Sequence, residues 1–172
     1  MNKKDKSLLL IIDLQKDFIN KKTDKLPNKI SKLIDSNVFD YVAFTKFINS
    51  ENNDFYRKLD YKGCLTEDGQ NIVIDTKNSK VFCKNVYTAL NKEFLEYVHV
   101  NNINCIYLCG IDTDACVMKT AVDLFENSFN VKVIENYCMS HSGKKFHKSA
   151  IIMLKKLIGN KNVIKLLNRK EG

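Results

Sequence analysis

The sequence predicts an α/β chain built on a mostly parallel sheet with helices covering both faces. Two apolar runs carry that prediction, SLLLIID at Ser7–Asp13 and INCIYLC at Ile103–Cys109. Neither alternates polar with apolar residues. Strands buried on both faces read this way, and they belong to parallel sheets with a helical layer on each side. The third observation is alternation, because strand-like runs recur along the chain with helix-period segments between them. At 172 residues and 44% hydrophobic composition, one core and a single domain over residues 1–172 are expected. Pro27 is the sole proline, and no linker, repeat or low-complexity block marks a boundary.

Each element follows from its own pattern. Ser7–Asp13 is a buried strand ending in an acid. Ile30–Phe39 is a short helix with Ile30, Leu33 and Ile34 on one face. Tyr41–Phe47 (YVAFTKF) is the second strand, and the polar stretch Asn49–Gly63 is a long loop in which Phe55, Tyr56, Leu59 and Tyr61 are embedded. A loop of that length with aromatics reads as a pocket wall or a subunit contact. Val81–Lys84 is a third, short strand ending in a cation, and Asn91–Val100 is a helix with Phe94, Leu95 and Val98 facing inward. After the strand Ile103–Cys109, Gly110 punctuates the run, and Asp112, Thr113 and Asp114 are helix-capping types ahead of Ala115, Met118, Ala121, Val122 and Phe125 at helical spacing. A strand at Val131–Ile134, a helix over Ser142–Leu157 and a short strand near Val163–Ile164 complete the chain.

Composition excludes several classes of function. The opening MNKKDKSLLLIID has basic then apolar residues like a signal peptide, but its apolar run is only Leu8–Ile12 and lacks a small-residue cleavage site, so it reads as a strand. Nothing approaches the roughly 18 apolar residues of a membrane span, and the expected compartment is the cytoplasm. The net charge is +8, but the lysines are spread throughout and no basic stripe interleaves with aromatics, so no nucleic-acid partner is expected. The six cysteines form no CxxC pair and the three histidines are scattered, which argues against a structural zinc site or a redox dithiol. No Walker A, GxGxxG or Asp-x-Asp pattern occurs, since Gln15 stands where a second acid would be.

Three strand ends carry chemistry. Asp13, Lys84 and the turn holding Cys116 each follow an apolar strand segment, and a parallel sheet gathers such ends at one rim, where open α/β folds bind ligands. Singly, each has an ordinary structural explanation: Cys as a small buried hydrophobe, Lys84 as a surface lysine, Asp13 as a turn cap. Jointly they are what a cysteine hydrolase needs. Lys84 holds a thiolate by charge, Asp13 accepts the thiol proton and returns it to a leaving amine, and Cys116 attacks a carbonyl carbon. The first turn of the following helix lowers a thiol's pKa and presents amides to a developing oxyanion.

The segments IIDLQKDF (Ile11–Phe18), KNVYTAL (Lys84–Leu90) and GIDTDACV (Gly110–Val117) resemble the three signature segments of the isochorismatase-like cysteine hydrolases. The likeness continues through TAVDLFENSFNVKVIENYCMSHSG (Thr120–Gly143) and the last helix. It implies a three-layer α/β fold with a six-stranded sheet, the catalytic set Asp13, Lys84 and Cys116, and a cis peptide at Ile111–Asp112 that aims the Asp112 and Cys116 amides at the oxyanion. It also implies a small-molecule substrate and a homo-oligomer, dimer or tetramer. Nicotinamidases of this family carry an Asp-x-His metal motif after the second strand. Here Phe47 and Asn49 stand in those places, so no metal and no cofactor is expected, which weighs against nicotinamidase activity. Phe18 and Tyr87 match family positions near the substrate. Asn49, from its loop, and Tyr137 are added as substrate-binding candidates. His141 and His147 are candidate acid–base groups, but half-buried histidines more often cap or pack, and that reading near the last helix is preferred for both.

The expected activity is metal-independent cleavage of a small amide, ureido or imide C–N bond through a thioester on Cys116. Isochorismatase-type vinyl-ether hydrolysis and nicotinamidase activity are the enzymatic alternatives, the first having less need of a thiol. A thiol-based redox or binding protein, with a disulfide between Cys109 and Cys116, is the non-enzymatic one. The burial of Cys109 in its strand and the lack of CxxC geometry weigh against it.

Overall fold

The computed structural model describes residues 6–167, so the basic start of the chain and its last five residues lie outside the described residues. Six strands, β1 (Lys6–Ile12), β2 (Tyr41–Phe47), β3 (Lys80–Lys84), β4 (Ile103–Ile111), β5 (Asn130–Met139) and β6 (Val163–Ile164), form one sheet in the order β3-β2-β1-β4-β5-β6. Every pairing is parallel. The chain starts in the middle, steps outward through β2 to β3, then crosses back to β4 and steps outward the other way. The right-handed rule for parallel crossovers assigns α1 (Leu26–Asp35) to one face and α4 (Lys92–Val100), α5 (Met118–Glu126) and α6 (Lys144–Ile158) to the other. The reversal leaves a crevice at the carboxyl ends of β1 and β4, the switch point where such sheets bind ligands.

The core follows the sequence pattern. Leu8–Ile12 are fully buried, flanked by Phe44 on β2 and Leu108 and Cys109 on β4. Phe82 of β3 packs against Phe94 and Tyr97 of α4, with ring centroids 5.4 Å away in each case. None of the described helices is long and apolar enough to cross a membrane.

Four elements differ from the sequence expectation. The first helix runs Leu26–Asp35, not 30–39. Pro27 sits in its first turn, where its fixed φ and missing N–H suit a helix start. The stretch read as a loop contains α2 (Asp54–Leu59), capped by Asn53 accepting from the Phe55 amide at 3.0 Å, and is followed by α3 (Glu67–Gln70). β5 continues to Met139, past the expected end at Ile134, with an irregularity opposite Leu108–Gly110. The helix after β4 opens as a single π-type turn, Thr113–Val117, with the Val117 amide on the Asp112 carbonyl at 3.0 Å. Asp112 makes no side-chain cap there; its carboxylate is engaged elsewhere.

Candidate active site

Asp13 is the first residue past β1, fully buried, with φ +45 in the left-handed region. A non-glycine residue held there usually sits at a site its surroundings over-determine. Thr45 of β2 supplies part of that support. Its hydroxyl accepts from the Asp13 amide at 3.0 Å and donates to Asp13 Oδ1 at 2.6 Å. Gln15 ties down the next turn: it donates to the Phe47 carbonyl (2.8 Å) and the Gln70 carbonyl (3.0 Å) and accepts from the Phe47 amide (2.7 Å).

Lys84 reaches the same place from two strands away. β3 lies about 9.6 Å from β1 at roughly 4.8 Å per strand, so only a long side chain spans β2. Its Nζ passes 5.3 Å from the Phe47 ring centroid and ends 2.6 Å from Asp13 Oδ2, 3.4 Å from Cys116 Sγ and 3.1 Å from the Val86 carbonyl. The Lys84 and Asp13 side chains are 2% and 0% exposed, so the ion pair acts in a low dielectric where its attraction is strong.

Cys116 sits in the π-type turn after β4. The peptide Ile111–Asp112 just before the turn is cis, and Gly110 has φ +119. A side chain at Gly110 would place its Cβ 2.2 Å from the Ile12 carbonyl oxygen, so β1 and β4 approach this closely only over a glycine. Burial pushes the Cys116 thiol well above the ordinary range, and the Asp13 charge adds to it, against a smaller pull from Lys84. For Lys84, burial opposes the charge, but Asp13 and then the Cys116 sulfur outweigh it and leave its pKa raised. Lys84 Nζ is therefore shared between the Asp13 carboxyl group and the Cys116 sulfur.

A cavity of about 220 Å³ borders Cys116. Its apolar lining is Phe18, Phe47, Phe55, Leu59, Tyr61 and Tyr87; its polar lining is Asp112, Asp114, His141 and Ser142. The aromatics brace one another, with Phe18 stacked on Tyr61 at 6.3 Å and Phe55 edge-on to Tyr87 at 4.6 Å. Of the sequence candidates, Phe18 and Tyr87 line the cavity. Asn49 and Tyr137 are not brought to it. The Asn49 amide group donates to the Tyr61 and Gly63 carbonyls (2.9 and 3.0 Å), tying down the loop that carries Tyr61. Tyr137 packs beneath the Lys29 ammonium, 4.6 Å from its ring centroid.

The sequence reading missed Thr45 and Asp114 as site residues, preferred capping or packing for His141, and had Phe55 and Tyr61 only as part of a loop that walls a pocket or joins subunits. Asp112 Oδ1 accepts from the His141 amide at 2.7 Å, and Oδ2 is hydrogen-bonded to His141 Nδ1. That hydrogen bond raises the His141 pKa against the opposing effect of burial. His147 does behave as a packing residue, with Nδ1 2.8 Å from the Thr113 hydroxyl and a pKa lowered by burial.

The donor set does not fit a divalent metal. Phe47 offers a ring where a ligand would be, the Asn49 side chain is spent on its own loop, and no group of three His, Cys, Asp or Glu among the described residues could hold an ion.

The comparisons with known proteins agree with this architecture. The sheet superposes on an isochorismatase-like hydrolase from Alkaliphilus metalliredigens with a TM-score of 0.81 at 16% identity, covering 93% of this chain and 94% of that one. It matches a pyrazinamidase of Pyrococcus horikoshii, solved in complex with zinc, with a TM-score of 0.80 at 18% identity over 94% and 99% of the two chains. In sequence, Isochorismatase family protein 2A of Dictyostelium discoideum is 36% identical over 74 residues, 42% of this chain and 37% of that protein. The chain spans about a third of the length of the curated relatives it matches. The family model of the Isochorismatase domain matches residues 7–162, and the chain belongs to the isochorismatase family.

Proposed function

We propose that this protein is a metal-independent cysteine amidohydrolase that cleaves a small amide or ureido C–N bond through a thioester on Cys116. The observation that carries this reading is one ammonium within reach of both a buried carboxylate and the only cysteine that borders the cavity. Substrate enters with its carbonyl over the sulfur. Asp13 takes the thiol proton as Sγ attacks, Lys84 stabilises the developing thiolate, and the oxyanion falls to the amides of Asp112 and Cys116. Asp13 then returns the proton to the leaving nitrogen. Burial and the Asp13 charge both raise the thiol's pKa, which favours deprotonation coupled to attack. At about 220 Å³ the cavity falls below the roughly 300–1,000 Å³ of drug-sized pockets, which favours a small substrate.

Nicotinamidase-type activity is the second reading, favoured by aromatic walls suited to a planar ring and disfavoured by Phe47 and Asn49 at the metal positions. None of the described cysteines is disulfide-bonded, which fits a reducing compartment such as the cytoplasm. A homo-oligomer formed through the exposed Phe146, Met153 and Leu157 of α6 is part of the same proposal.

Ammonia release across a panel of small amides and ureido compounds tests the reading. Turnover is expected to vanish in Cys116→Ala and Asp13→Asn. Rapid alkylation of Cys116 with no turnover of any compound would instead support a thiol sensor.

A further inference from the structure

The Asp112–His141 pair is not used by the mechanism above, although both side chains line the cavity beside Cys116. Asp112 holds the backbone amide and Nδ1 of His141 with its two carboxylate oxygens. A carboxylate on Nδ1 fixes the tautomer that leaves Nε2 with a free lone pair. Among the described residues no other side-chain hydrogen bond to the imidazole is found, and the Phe18 ring lies with its centroid 6.0 Å from that of His141. Asp13 stands differently: it is fully buried behind the sulfur, with Oδ1 held by Thr45 and Oδ2 by Lys84, and it does not line the cavity. Once Cys116 is acylated, the hydrolytic water arrives from the cavity side.

We propose that Asp112 and His141 form a second acid–base dyad, with His141 Nε2 as the general base that activates the water cleaving the Cys116 thioester. This rests on the nucleophilic role of Cys116 given above. Water's oxygen bonds to the thioester carbonyl carbon as one of its protons passes to Nε2. The tetrahedral intermediate collapses with cleavage of the C–S bond, the thiolate takes the proton back from His141, and the carboxylic acid leaves. Asp13 and Lys84 thus serve acylation, and Asp112 and His141 serve deacylation. The charged groups acting on the imidazole are Asp112 and Asp114, which favour its protonation, and Lys22, which opposes it. Deacylation therefore rises with pH as His141 loses its proton.

p-Nitrophenyl acetate separates the two halves, because its leaving group needs no proton. The unmodified protein should show a burst of nitrophenolate, absent in Cys116→Ala, followed by a slower steady state. In His141→Gln the burst should stay within about 3-fold while the steady state falls about 100-fold, the usual worth of a general base, with acetylated protein accumulating by intact mass. In Asp112→Asn the rising limb of the deacylation pH profile should move to lower pH, a shift that a merely structural role would not produce. An unchanged steady state in His141→Gln, both phases falling together, or a limb that stays in place in Asp112→Asn overturns the dyad and leaves Cys116 as nucleophile. Nitrophenolate release by the unmodified protein no faster than by Cys116→Ala overturns both readings.

Discussion

At the scale of single residues, the site is a buried charge pair whose members depend on each other. Removing one partner of such a pair leaves the other uncompensated, which typically costs about 3–5 kcal/mol. Lys84→Met is therefore expected to lower stability by that amount in urea denaturation, because the buried Asp13 carboxyl group loses its ion-pair partner. Thr45→Val is expected to cost about 1–3 kcal/mol, since it strips a hydrogen bond from a carboxylate that has no access to water. Its effect on turnover should exceed that of a change on the opposite side of the cavity. His141 gives a pH dependence of stability with a defined sign. Its folded pKa is raised by Asp112, so the stabilising contribution is fully present below the unfolded value of about 6.5 and is lost as pH rises through the folded value. Thermal denaturation across that range should show the decline, and His141→Ala should abolish it.

At the scale of elements, the approach of β1 to β4 decides whether the site exists. Gly110 combines a positive φ with a Cβ position that overlaps the Ile12 backbone. Gly110→Ala is therefore expected to cost on the order of 3 kcal/mol and to slow alkylation of Cys116, as a melting curve and an iodoacetamide time course would show. The elements also explain which candidates were legible in the sequence. Asp13, Lys84 and Cys116 lie where an apolar run meets a polar residue, a local signal that needs no knowledge of packing. His141 carries the same signal, since it lies just past the end of β5 at Met139. From sequence its acid–base reading does not outweigh capping or packing, because the polar Glu135 and Asn136 interrupt the apolar run after Ile134 and hide that strand end. Thr45 sits inside a strand, and only the neighbouring Asp13 gives its hydroxyl a purpose.

At the scale of the whole molecule, the sheet order brings β1, β3 and β4 to one rim and the helices seal it on both faces. The described surface still shows Phe146, Met153 and Leu157 of α6 at 43–52% exposure, on one stripe of the helix by their spacing. If this face joins subunits, Met153→Glu should lower the mass measured by light scattering while leaving the Cys116 alkylation rate unchanged. An unaltered mass would place the contact elsewhere.

By itself, the sequence determined the α/β class, the succession of strands and the placing of Asp13, Lys84 and Cys116 at strand ends, because burial periodicity and chain punctuation are written locally. Tertiary structure alone decided that Lys84 is shared between Asp13 and Cys116, that Asn49 and Tyr137 stay behind the cavity wall, and that Asp112 faces His141. Those outcomes depend on distances between elements far apart in the chain, and hydrophobic patterning specifies which face a residue takes but not which partner it meets across the crevice.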